Sequence, residues 1–63
     1  MKRSYKADEL QRLIEKDGWV WFKTTGGHRH FKHPVKKGKV TIPFHSKEIG
    51  LRLAKSILKQ AGL

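Results

Sequence analysis

The sequence predicts a small α+β domain of order α-β-β-β-α, a three-stranded antiparallel meander with two helices packed on one face. Two observations lead there. Apolar residues recur at helical spacing near both ends of the chain, and the stretch between holds three short β-branched or aromatic runs punctuated by glycine and proline. With 63 residues there is room for one domain, 1–63. A domain of this size buries only about 60% of the surface its unfolded chain exposes. Its core is compact, and no cofactor is expected.

Residues 4–17 form the first amphipathic segment. Ser4 is placed to cap a helix, Asp8 and Glu9 fall in the early turns where the helix dipole favours anions, and Gly18 follows as the terminating residue. Leu10, Leu13 and Ile14 fall at i, i+3 and i+4 and are expected to face the core, with Ala7 extending the stripe. Arg12, Glu15 and Lys16 point outward. Residues 19–24 are aromatic and β-branched, hence a strand. Thr25-Gly26-Gly27 supplies a turn, His28 to His33 returns as the second strand, and Pro34 ends it. After a turn at 35–38, residues 39–42 make the third strand, closed by Pro43, and Phe44 to Ile49 is a connection. The last helix runs from about Gly50 to Ala61. Ala54, Ile57, Leu58 and Ala61 make its apolar stripe, Arg52, Lys55 and Lys59 a basic one, and Gly62 ends it. Phe31 and Trp19 are assigned to the core. Trp21 and Phe22 alternate in a strand, so one of them is expected to be exposed for stacking or partner contact, and alternation alone does not say which.

Fifteen Lys and Arg against five Asp and Glu give a net charge of +10. Four of the five acidic residues lie within the first 17 positions, and none falls between 18 and 47. The rest of the chain thus presents a cationic surface suited to a polyphosphate, to an acidic protein, or to both. Without cysteine there is neither a disulfide framework nor a thiolate zinc site. No apolar run approaches the roughly 20 residues of a membrane span, and the N-terminus lacks the apolar region of a signal peptide. A soluble cytoplasmic protein is expected.

The chemistry concentrates in Gly26-Gly27-His28-Arg29-His30-Phe31-Lys32-His33-Pro34. Strand alternation puts Arg29 and His33 on the side of Phe31 and leaves His28, His30 and Lys32 together on the open face. An imidazole among cationic groups suits RNA phosphodiester chemistry. It can take the proton of a 2′-hydroxyl that attacks the adjacent phosphate, while nearby lysine or arginine stabilises the transition-state charge. The residue types alone also allow ordinary surface histidines, or metal ligation by His28, His30, His33 and His45. Ligation would lack carboxylate support and would be opposed by Lys32.

These segments resemble the HicA toxins of bacterial toxin–antitoxin systems. The likeness rests on Leu10-x-x-Leu13-Ile14-Glu15-Lys16-Asp17-Gly18-Trp19 and on Gly26-Gly27-His28-Arg29-x-Phe31-x-His33-Pro34. Two further strings, Val40-Thr41-Ile42-Pro43-Phe44-His45-Ser46 and Ile57-Leu58-Lys59-Gln60-Ala61-Gly62-Leu63, complete it. The resemblance implies a double-stranded-RNA-binding-domain-like fold and a ribosome-independent mRNA endoribonuclease, and the route through the 2′-hydroxyl leads us to expect a metal-independent one. It also implies inhibition by a HicB-type antitoxin that covers the active site. It assigns catalysis to His28, after the loop residues Gly26 and Gly27, with His30 as a possible auxiliary. Relatives often carry serine where this chain has Gly27, so no hydroxyl at that position can be essential in this protein. Lys23, Arg29 and Lys32 flank the site as expected phosphate contacts. Arg52 and Lys55 correspond loosely to the basic start of the last helix in RNA-binding relatives, and His33 and His45 are expected to be structural or substrate-positioning. Two other readings stand beside the nuclease: a non-catalytic RNA-binding module of the same fold, and a protein whose basic surface serves an acidic partner.

Overall fold

The computed structural model describes residues 3–45 and 48–63. Its elements are β1 (Ser4–Lys6), α1 (Ala7–Lys16), β2 (Val20–Thr25), β3 (His28–Lys32), β4 (Val40–Pro43), β5 (Glu48–Gly50) and α2 (Leu51–Gln60). Strands β2, β3 and β4 form the expected antiparallel meander, and β1 pairs antiparallel with β5 in a separate two-stranded ribbon. The expected α-β-β-β-α order therefore holds, with one addition.

That addition corrects two expectations. Ser4 is not a helix cap: it lies in β1 opposite Gly50, and Tyr5 opposes Ile49. The helix starts later, where Lys6 keeps extended backbone angles and its N–H donates to Glu9 Oε1 at 2.9 Å. A carboxylate in the first turn thus serves one of the exposed backbone donors near the helix start. Glu48 and Ile49 likewise belong to a strand rather than to a connection, because the extended N-terminal arm offers them a backbone partner, and Gly50, the expected helix start, is the last residue of that strand. Ser46 and Lys47, in the middle of that stretch, lie outside the described residues.

Both helices lie on one face of the meander. Ala7, Leu10 and Ile14 of α1 and Ala54 and Ile57 of α2 join Phe31, Val40 and Ile42 of the sheet in one buried cluster, with Trp19, Ile49 and Ala61 completing it. Phe31 and Val40 are cross-strand partners, and Ile42 opposes Arg29. All of these side chains leave the sheet on the helix side. Leu13 does not join them and is 38% exposed. The buried stripe runs through positions 7, 10 and 14, and Leu13 falls to its flank, beside Tyr5 in a surface groove.

A polar clasp joins the end of α1 to the end of α2. Lys36 Nζ donates to the Asp17 carboxylate and, at 2.9 Å, to the carbonyl of Ala61. His33 Nε2 lies 2.7 Å from the carbonyl of Asp17, while its Nδ1 accepts the N–H groups of Val35 and Lys36 at 3.0 Å each. Those two acceptor bonds fix the proton on Nε2. A Cβ on Gly18, which adopts φ +107°, would sit 2.7 Å from that nitrogen, so the helix has to end in glycine here. The hydrogen bond from Lys36, chiefly, and the positive charge of the same ammonium group hold the Asp17 carboxyl below its ordinary 3.8. A depressed carboxyl contributes stability that is present above its unfolded value and lost as pH falls through its folded one. Asp17→Asn should therefore lower the melting temperature near neutral pH, and the gap from the unsubstituted protein should close below about pH 3.8. Thermal melts across that range check it; a gap that stays constant in acid contradicts it.

Candidate active site

Two strand registers and one bulge arrange the site. Trp21 opposes Phe31, but Lys23 opposes His30, so Phe22 is an extra residue in β2. A bulge of this kind brings two neighbouring side chains to one face of the sheet. Phe22 and Lys23 accordingly stand on the face away from the helices. The Phe22 ring lies under two ammonium groups there, Lys32 Nζ at 5.3 Å and Lys39 Nζ at 5.7 Å from its centroid. Trp21 stands on the opposite face and donates its indole N–H to Thr24 Oγ1 at 2.9 Å. Neither ring turns inward. Trp21 is 44% and Phe22 39% exposed, so the expectation of one buried and one exposed aromatic is replaced by two half-exposed rings on opposite faces.

His28 heads β3, flanked by Thr25 of β2 and Pro43 of β4. Alternation from the buried Phe31 sends His28, His30 and Lys32 to the open face, as expected. His30 lies between Lys23 and Thr41, with its Nδ1 3.1 Å from Thr41 Oγ1. The feature the sequence reading missed is the position of His45. Its ring centroid is 4.9 Å from that of His28, with the two planes at 64°. The approach is made by backbone: Phe44 N–H donates to the carbonyl of Gly27 at 2.6 Å. Gly27 adopts φ +81°, and a Cβ built on it would lie 3.2 Å from His45 Cβ. Glycine thus permits both the turn and the close approach of the chain that leaves β4.

Arg29 takes a different place from the other basic residues of the motif. It leaves β3 on the helix side, with its guanidinium carbon 4.1 Å from the Trp21 ring centroid and 4.0 Å from that of Phe44. One amino group donates to Gln11 Oε1 of α1 at 2.8 Å. Held between two aromatic faces, it ties the edge strand, the first helix and the residue before His45 together. Lys23 and Lys32 lie on the open face with the histidines, whereas Arg52 and Lys55 are exposed on α2, in the helix layer. His33 turns into the clasp, edge-on to Trp19 at 5.2 Å between centroids.

The electrostatics follow from this arrangement. Among the described residues, Asp8, Glu9, Glu15 and Asp17 belong to α1 or its end and Glu48 to β5, so no carboxylate stands on the meander face that carries His28, His30, Lys23 and Lys32. No three His, Asp or Glu side chains among the described residues gather to hold a metal ion. No described helix is long and apolar enough to cross a membrane. The face can receive an anion and offers it two imidazoles in contact. No curated protein matches the chain. A family model described as the HicA toxin of bacterial toxin–antitoxin systems matches residues 7–63, every element from α1 to the C-terminus. The chain therefore belongs to the HicA toxin family, whose members are paired with antitoxins.

Proposed function

We propose that this protein is a ribosome-independent endoribonuclease that cleaves mRNA, with His28 as a general acid–base group and no metal in the step. The observation that supports it best is the imidazole of His28 at the head of β3, half-buried, on a sheet face where its charged neighbours among the described residues are cationic. RNA carries its own nucleophile, the 2′-hydroxyl. A protein needs only to move protons and to balance charge on the phosphorane-like transition state. Lys23 and Lys32 contact phosphates beside the scissile one, and His30 is an auxiliary group next to His28. Arg52 and Lys55 meet the RNA backbone farther from the cut. Arg29 acts as a positioning residue, since its guanidinium is engaged with Trp21, Phe44 and Gln11. The antitoxin is of the HicB type, bears acidic groups, and covers the open face in the cytoplasm.

The test is the chemistry of the ends. Purified protein incubated with an mRNA transcript and a chelator should yield fragments ending in 2′,3′-cyclic phosphate and beginning with 5′-hydroxyl. Cleavage and binding should both weaken steeply with salt, since phosphate contacts dominate affinity. RNA that is bound yet left intact by stoichiometric protein overturns the nuclease reading in favour of a non-catalytic RNA-binding module.

A further inference from the structure

Cleavage through the 2′-hydroxyl moves two protons. The O2′–P bond forms as the 2′-hydroxyl gives up one, and the P–O5′ bond breaks as the departing oxygen takes up another. His28 serves one of these transfers, and the ring in contact with it is that of His45, whereas His30 Nδ1 lies 3.1 Å from Thr41 Oγ1. We propose that His45 is the second catalytic residue, its imidazolium delivering the proton to O5′ while His28 takes the proton from the 2′-hydroxyl. This inference rests on the nuclease reading. The products are a 2′,3′-cyclic phosphate and a 5′-hydroxyl, and the step leaves His28 protonated and His45 neutral. Exchange with water restores both, and both rings can reach it: His28 is half-buried and His45 exposed.

The geometry supports this pairing in three ways. The ring centroids are 4.9 Å apart, and each group needs about 2.6–3.2 Å of hydrogen-bond reach, so both rings can contact different oxygens of one phosphodiester. The alternation of the chain leaving β4 sends Pro43 to the open face opposite His28, Phe44 to the helix side and His45 back to the open face. Finally, the hydrogen bond from Phe44 N–H to the Gly27 carbonyl secures the two histidine-bearing segments to each other through backbone rather than through the rings.

The test uses the full chain and two versions of one oligoribonucleotide, a normal one and one with sulfur replacing the bridging O5′ at the scissile position. A thiolate leaves without needing a proton, so a missing general acid matters only for the oxygen substrate. His45→Ala should slow cleavage of the oxygen substrate by about 10²-fold or more and cut the sulfur substrate at nearly the unsubstituted protein's rate. His28→Ala should stay slow on both. Alanine keeps the His45 Cβ that meets Gly27, and His45→Gln, which fills similar space without transferring a proton, should give the same pattern. Cleavage of the oxygen substrate by His45→Ala at the full rate overturns the assignment. So does an equal loss on both substrates, which is what a purely structural role produces. If the unsubstituted protein cuts neither substrate, the nuclease reading itself fails. A failure of His45 alone leaves that reading standing.

Discussion

His28→Ala should reduce RNA cleavage by about 10²- to 10⁴-fold, the usual contribution of a positioned acid–base group, and leave the fold unchanged. The expectation of an intact fold comes from what His28 touches. Its side chain lies outside the buried cluster, and its ring contact is with His45 on the open face. A surface substitution away from caps, cores and buried networks changes stability by about 0.5 kcal/mol or less, so the melting temperature should barely move. Rates measured with enzyme in excess over RNA separate the chemical step from binding. They should show the loss in the chemical step, with affinity nearly unchanged because the lysines remain. His30→Ala is the companion measurement. His30 is held near Thr41 and faces Lys23, one strand position pair away from the imidazole pair, and its removal should have a smaller effect. Full cleavage by His28→Ala from a nuclease-free preparation would remove the residue from the mechanism. A larger loss at His30 would move the reaction centre along β3.

How much of this was legible in the sequence depends on the range of the interactions. The two helices and the meander were, because periodicity and turn residues are local. The face of His28, His30 and Lys32 followed from alternation once Phe31 was placed in the core. The β1–β5 ribbon was not legible, since two three-residue strands carry no periodic signal and Ser4 looks locally like a cap. Its cause is a backbone pairing between residues more than 40 positions apart. Leu13 was misplaced because a spacing of i+3 from Leu10 also describes the flank of the stripe. The bulge at Phe22 defeated the choice between Trp21 and Phe22, since it breaks the alternation on which that choice depended. The contact of His28 with His45 was hidden for the same kind of reason. It depends on the register that sets Pro43 opposite His28 and on the Gly27 carbonyl capturing Phe44 N–H, and neither is written in the spacing of the two histidines.

The largest expected loss of stability is at Trp19. At roughly 0.05–0.15 kcal/mol per residue, a domain of 63 residues is stable by about 3–9 kcal/mol, and replacing a buried tryptophan with alanine costs about 3–5 kcal/mol. Trp19 is buried at the junction of α1, the meander and the end of α2. Its indole N–H donates to the carbonyl of Ala61 at 3.2 Å, and its ring meets His33 edge-on. Trp19→Ala therefore opens a cavity beneath the polar clasp and should leave much of the protein unfolded at 37 °C, with RNA cleavage lost in proportion to the unfolded fraction. Trp19→Phe separates packing from hydrogen bonding. It keeps most of the apolar volume, and the Ala61 carbonyl retains a donor in Lys36 Nζ, so no buried acceptor is left unpaired. Its cost should be nearer 1 kcal/mol, within the net worth of one hydrogen bond. Urea melts of the two variants measure the difference. If Trp19→Phe proved as damaging as Trp19→Ala, the indole hydrogen bond rather than the filled volume would hold the two chain ends together. If Trp19→Ala melted like the unsubstituted protein, the buried cluster would not depend on Trp19, and the clasp of Lys36, Asp17 and His33 would be sufficient to hold the end of α2.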